Sequence, residues 1–381
     1  LVDMHVHLFN NYSRWPPNDW AFPLFIANGV TAVREMNSTA ESIGIATRWR
    51  EQQKLGELVA PRILAAGIAA SGKSPSDAAL QVDAAAEAGA DFIKVFSEVP
   101  EANWRAILAE ARTKSLPVAG HVPAGVAFLV AAEAGQRTDE HLMQAYEACS
   151  SIEGSLLEER KNLEGDALVA LRDAQEARAL ESFSQRTCER VGKSLVASGQ
   201  VQVPTLVLAH EEAMRSNRSP DKDPRWNYLR PDERARWERN LASAASVDTV
   251  LAKRRWDVSR RIVSAFHAAN VGILAGTDTP MPNNYPGYSL HDELALLVDS
   301  GLAPIEALRA ATLAPATFLG MAKDSGAVAT GFRADLVLLD ADPSRDIRNT
   351  RRIDAVVLDG RLLRRADLDS MLDAASRAQR K

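Results

Sequence analysis

Short apolar runs that alternate with longer helix-forming stretches constrain this chain from residue 1 to about residue 150 more than any other feature. The runs are Leu1 to His5, Thr31 to Glu35, Arg62 to Ala66, Asp91 to Phe96, Leu116 to His121 and Gln136 to His141, each bounded by Gly, Pro or polar residues. Between them lie amphipathic stretches rich in Ala, Glu and Arg, such as Ser76 to Ala88 and Glu101 to Lys114. Strand and helix alternating at this pace predict βαβ units and a parallel sheet. Right-handed crossovers then lead to a barrel or to an open doubly wound sheet. The chain has 381 residues, 46% hydrophobic and 25% charged, enough for one barrel and a small appendage around a full-sized core.

After His141 the rhythm stretches. Residues 145–200 carry helix formers and no convincing strand, Val201 to Leu208 reads as strand seven, residues 209–266 are again helical and polar, and Val271 to Ala275 reads as strand eight. The expected fold is therefore an α/β (β/α)₈ TIM barrel over residues 1–325, with helical insertions at about 145–200 and 209–266. Gly331 to Asp340 and Ala355 to Leu363 look like antiparallel strands, giving a small β module at 326–365 followed by a C-terminal helix or tail at 366–381.

Composition narrows the partners. A formal charge of −5 offers no long-range attraction for nucleic acid, and no apolar run has the ~20 residues of a membrane span. A small-molecule substrate is expected, and a homo-oligomer is compatible with the helical insertions. Cys149 and Cys188 are too few for a disulfide framework or a zinc knuckle, leaving two thiols or a single bridge. The chain opens at Leu1 directly in an apparent strand, so an upstream segment is expected to be missing. The compartment, cytoplasmic or exported, is not legible.

The first strand carries His5-Val6-His7. Side chains at i and i+2 share a strand face, so two imidazoles form a half-site for a divalent transition metal. Other potential ligands also fall at strand ends: Lys94, His121, His141 and Asp278. In a (β/α)₈ barrel the C-terminal strand ends converge on one mouth, where such enzymes do chemistry. A lysine in an apolar strand is itself unusual, because Lys is rarely buried without a partner.

This order of H-x-H, Lys, His, His and Asp on strands one, four, five, six and eight resembles the amidohydrolase superfamily. Gly29 to Arg34, Gly89 to Lys94, Leu290 to Leu294, Ala310 to Ala316 and Gly331 to Asp340 add to the resemblance, which spans nearly the whole chain. The branch resembled is the imidazolonepropionase-like group that includes metal-dependent prolidases. The resemblance implies two divalent metal ions, zinc first with manganese, iron or cobalt as alternatives. His5, His7 and Asp278 would hold one, His121 and His141 the other, and Lys94, carboxylated by carbon dioxide, would bridge them. It further implies hydrolysis of a peptide-like, N-acyl amino acid or related C–N bond by a metal-bridging hydroxide, with Asp278 as general base and then general acid.

Two rival readings stay open. A one-metal deaminase of the same superfamily would normally place an acidic residue shortly after the strand-five His, whereas His121 is followed by Val122-Pro123-Ala124. A barrel without chemistry, acting as a binding scaffold, is the other. For substrate contacts the sequence offers His210, Tyr228, Arg230 and His291, with Trp15, Trp20 and Trp226 as further candidates for a pocket wall. Two departures stand against the family pattern: the small domain is usually built from both chain ends, and the two insertions are long for connections.

Overall fold

The computed structural model describes residues 1–9, 16–215, 222–243 and 248–379. Five strands, β1 (Val2–Val6), β2 (Ala32–Ser38), β3 (Arg62–Ala69), β4 (Phe92–Val95) and β5 (Val118–Gly120), form a parallel sheet in sequence order. Strands β6 (Thr138–Glu140) and β7 (Val201–Val203) pair in parallel as a second sheet. Arg137 N donates to Val118 O at 2.7 Å, which joins the two sheets at β5 and β6.

Helices follow the strands with ordinary end chemistry. Thr39 caps Ala40–Lys54 by accepting from Ser42 N, and Ser74 caps Pro75–Glu87 by accepting from Asp77 N, with Pro75 in the first turn, where its missing N–H costs nothing. The helices cover the sheet's outer face, so the strands read as near-continuous apolar runs, with Val6, Val33, Ile93 and Val95 fully buried.

Two expectations for strands require correction. The seventh strand stops at Val203 rather than Leu208, because Pro204 cannot donate to a ladder and Thr205 sits at φ +44, after which the helix Leu206–Met214 begins. The stretch expected as strand eight forms no continuous strand, only single bridges from Ile273 to Gln202 and from Thr279 to Val6. Its hydrogen bonds nevertheless run both ways: Leu274 N donates to Gln202 O and Met4 N to Ala275 O, both at 2.9 Å. Gly276 makes the approach possible, since a Cβ there would lie 2.7 Å from Val203 Cγ1 and 2.9 Å from His5 Cβ.

The region from residue 145 to 200 is helical, with Glu153–Arg160, Gly165–Glu181 and Gln185–Ser198 as its longer elements, and Cys149 and Cys188 are joined by a disulfide across it. Beyond the last long helices, β8 (Leu336–Leu339), β9 (Ile353–Leu358) and β10 (Arg361–Arg364) form an antiparallel sheet in the order β10-β9-β8. The expected strand from Ala355 to Leu363 is thus two strands, folded at Asp359-Gly360, where both residues take positive φ. The helix Arg365–Ala378 packs on this sheet through Leu368. Among the described residues no helix is long and apolar enough to cross a membrane.

Glu293, on the helix Tyr288–Asp299, accepts from Val207 N at 2.9 Å and so caps the helix that begins at Leu206. Burial raises its pKa from the ordinary 4.5 to about 8. The folded state therefore holds this proton more tightly than the unfolded chain: the contribution is full below about 4.5 and is lost as pH rises towards 8. Glu293→Gln mimics the neutral acid. Thermal melts as a function of pH should show wild type losing stability relative to the variant across that window, by at most about 1.4 kcal/mol per pH unit.

Candidate metal centre

At the C-terminal ends of β1, β4, β5 and β6, His5, His7, Lys94, His121, His141 and Asp278 all line one cavity of about 480 Å³. The six ligand candidates spread over 274 residues of sequence therefore meet. A larger cavity, about 640 Å³, lies between the opposite strand ends and the C-terminal sheet, lined by Leu1, Thr31, Arg62 and Val337, and holds none of them. The histidines stand at the C-terminal ends of the parallel strands, the side on which α/β folds bind their ligands.

His7 Nε2 and Asp278 Oδ1 are 2.7 Å apart, and His5 Nε2 lies 3.2 Å from the same oxygen without completing a hydrogen bond. Ligand atoms of these three residues all fall within 4.8 Å of one another, the spacing of a shared cation. The His5 and His141 rings are centred 4.6 Å apart, and His141 and His121 5.1 Å apart. His141 and Asp278 both take left-handed backbone, at φ +67 and +60, which non-glycine residues adopt at a cost and which is met at functional sites.

Three of the four histidines have their other nitrogen engaged. His5 Nδ1 pairs with Glu140 Oε2 at 2.7 Å, His121 Nδ1 with Ser97 Oγ at 3.1 Å, and His141 Nδ1 with Thr205 Oγ1 at 2.8 Å. Fixing one ring nitrogen presents the other to the cavity, as metal-binding histidines require. Burial lowers His141 to about 3 and His121 well below its ordinary range, so both rings are neutral and able to ligate. Burial works against charge on His7, but the Asp278 carboxylate outweighs it and raises the pKa. Burial also opposes ionisation of Asp278, and His141 and His7 overcome it, holding the carboxyl well below the usual range.

Lys94 Nζ is wholly buried and makes no hydrogen bond among the described residues. Burial lowers its pKa to about 8, leaving a share of neutral amine near physiological pH. Gly120 lets β5 lie against it: a Cβ would stand 2.3 Å from Val95 O and 2.8 Å from Lys94 Cδ. An orphaned buried amine beside neutral imidazoles and an ionised carboxylate fits a metal centre whose remaining partners complete it.

The sequence reading missed the groups behind the ligands. Arg34 is buried in β2, donates to Met4 O at 2.6 Å and to Glu140 Oε1 at 2.8 Å, and so anchors the carboxylate that holds His5. Burial opposes the Glu140 charge, but Arg34 and His5 outweigh it and lower its pKa. Charged residues inside apolar strands were the available signal.

The substrate-contact candidates fare differently. His291 is a correction: it is buried, with its nitrogens paired to Thr350 Oγ1 at 2.9 Å and Asn28 O at 3.0 Å, so it ties the helix Tyr288–Asp299 to neighbouring segments. Tyr228 stacks on Tyr288 and Arg230 donates to Pro17 O at 3.0 Å. His210 lies edge-on to Trp256, and Trp20 is buried with its indole N–H on Asn18 Oδ1. Trp226 packs edge-on to Trp237, and Trp15 lies outside the described residues. None of the described candidates lines the cavity of the histidines.

The sequence pattern of the amidohydrolase family matches residues 1–363. The chain belongs to the amidohydrolase family. That family uses metal ions, in keeping with the cluster of His5, His7 and Asp278. Among solved structures the amidohydrolase is similar to bottromycin amidohydrolase, with a TM-score of 0.70 and 24% identity over 99% of this chain and 79% of that one. It is also similar to a Xaa-Pro dipeptidase solved with methionine in its active site, with a TM-score of 0.60 and 19% identity over 96% and 86%. These likenesses establish a shared fold. An adenine deaminase of Methanothrix thermoacetophila is 30% identical over 115 residues, which cover 29% of this chain and only 19% of that enzyme.

Glu140→Gln removes the charge that orients His5 and compensates Arg34. Metal titration should show affinity falling about 10- to 100-fold. Melting should show the added cost of a buried arginine left without its carboxylate, about 3–5 kcal/mol.

Proposed function

We propose that this amidohydrolase is a two-metal hydrolase of amide bonds, peptide-like or N-acyl, with His5, His7 and Asp278 holding one ion, His121 and His141 the other, and Lys94 between them. The observation that carries the reading is the orphaned Lys94 amine on the same cavity as all five other ligands. Carboxylation is the chemistry that a neutral buried amine permits. Lys94 Nζ attacks carbon dioxide, an N–C bond forms as one C=O pair moves to oxygen, and the ammonium proton leaves. A cation that would repel metal becomes an anionic oxygen ligand. Zinc is the first expectation, with manganese, iron or cobalt suited to the same donors.

Two bound divalent ions would supply a water acidic near neutral pH and a polarised carbonyl. The chain's own residues do the rest. Asp278, held ionised by its histidine neighbours, accepts the proton of the attacking water and returns it to the leaving nitrogen. Ser97, Thr205 and Glu140 keep the three imidazoles in the ligating tautomer. Phe9, Phe96, Met143 and Leu208 wall the cavity and exclude bulk water from the leaving group.

The same proposal assigns the architecture. With 272–279 taken as the eighth position, hydrogen-bonded to β7 and β1, the strands make a (β/α)₈ barrel, with the C-terminal sheet as a separate small module beyond about residue 325. A second reading, a one-metal deaminase, draws on the local match to adenine deaminase.

Metal analysis and a hydrolysis screen over dipeptides, N-acyl amino acids, cyclic amides and carbamates separate these readings. Two ions per chain are expected, with amine rather than ammonia as product. Lys94→Ala should lose metal and reduce hydrolysis by at least about 10²–10³-fold. Unchanged metal content and turnover in that variant would sink the two-metal centre, and ammonia release with one ion per chain would favour the deaminase.

A further inference from the structure

The cavity of the candidate metal ligands has a single arginine on its wall, Arg236, from the helix Pro231–Ser243 of the second insertion. Its guanidinium is held on one edge. Nε donates to Glu233 Oε2 at 3.1 Å, and Nη2 donates to Glu233 Oε1 and, at 3.1 Å, to the Pro280 carbonyl two residues beyond Asp278. Glu233 is only 2% exposed and also receives the indole N–H of the fully buried Trp237 at 3.2 Å. Nη1 has no protein partner among the described residues.

A surface ion pair on a helix needs no buried, tryptophan-backed carboxylate, and it gains little from one. Locking the guanidinium matters where its planar fork must meet a ligand, because a pre-organised arginine loses less freedom on binding. The ligand's charge is limited by the surroundings. Glu233 already balances Arg236, so a singly charged carboxylate suits the position better than a phosphate dianion. Away from the ligand candidates the wall is mainly apolar, with Phe9, Phe96, Met143, Leu208 and Met281 beside Asn18 and Asn37.

We propose that Arg236 determines specificity by binding a carboxylate of the substrate, so that the amides cleaved carry a free carboxylate on an otherwise apolar body. The inference rests on the cavity being the hydrolytic site. Its test reads binding rather than turnover, so the two can fail separately.

Calorimetric titration of the full zinc-reconstituted chain would compare N-acetyl-L-leucine with N-acetyl-L-leucinamide, which differ only in the carboxylate. Wild type should prefer the acid by about 10- to 100-fold, the scale of a hydrogen-bonded charge pair. Arg236→Met should bring the ratio close to one, and Arg236→Lys, which keeps charge but not the fork, should fall between. Because Arg236→Met leaves Glu233 buried and unpaired, Glu233→Gln/Arg236→Met removes both charges and serves if the single variant unfolds. Failure of the acid to bind wild type, equal binding of acid and amide, or a preference that survives in the double variant would overturn the assignment. A preference that behaves as stated in a chain that hydrolyses none of the screened bonds would keep the carboxylate site and discard the hydrolytic reading.

Discussion

The buried chain Arg34–Glu140–His5 is the interaction on which the rest of the centre depends. All three residues are at most 1% exposed, and they come from β2, β6 and β1. Two full charges taken out of water are tolerable only if each is compensated by geometry as well as by sign. Arg34 meets Glu140 and the Met4 carbonyl, while Glu140 meets Arg34, His5 and the Thr138 hydroxyl. The compensation does two things at once. It ties β6 to β1 and β2, neither of which β6 pairs with, and it commits His5 Nδ1 to the protein so that Nε2 faces Asp278.

From that anchor outwards, chemistry and selection are supplied by different parts of the chain. The ligand candidates stand at strand ends, where backbone hydrogen bonds leave little freedom, while the rest of the cavity wall comes from the segments that follow the strands. Arg172, on the first inserted helix bundle, donates to Ser97 Oγ at 3.3 Å, and Ser97 holds His121. Arg172, Glu176, Glu212 and Arg255 also wall an adjoining cavity of about 440 Å³ that shares His141, Met143 and Leu208 with the first. The second insertion brings Arg236 to the site itself. Long connections thus reach the residues that hold the ligand candidates and the cavity beside them, and the Cys149–Cys188 disulfide cross-links the first of them.

Strained backbone lies where these parts join. Thr205, His141 and Asp278 all have positive φ without being glycine. Thr205 follows β7, orients His141 through its hydroxyl and precedes the helix that Glu293 caps. Strain of this kind persists only when its surroundings over-determine it, and here a buried carboxylate, a helix start and a ring nitrogen do so together.

The sequence by itself determined the parallel β/α order of the first five strands, the antiparallel strands near the C-terminus and the strand-end placement of the ligand candidates His5, His7, Lys94, His121, His141 and Asp278, because periodicity and strand-end position are local properties of the chain. It ran strand seven on to Leu208 although Pro204 marks its end, and it drew Val271 to Ala275 as a continuous strand where only single bridges and backbone hydrogen bonds form. Only the tertiary structure decided the partners. That Glu140 rather than solvent holds His5, that His291 is sequestered by Thr350 and Asn28, and that Arg236 rather than Tyr228 or Arg230 reaches the cavity all depend on contacts between residues far apart in sequence. Such contacts leave no period in the chain. A buried charge announces that a partner exists, but only packing names it.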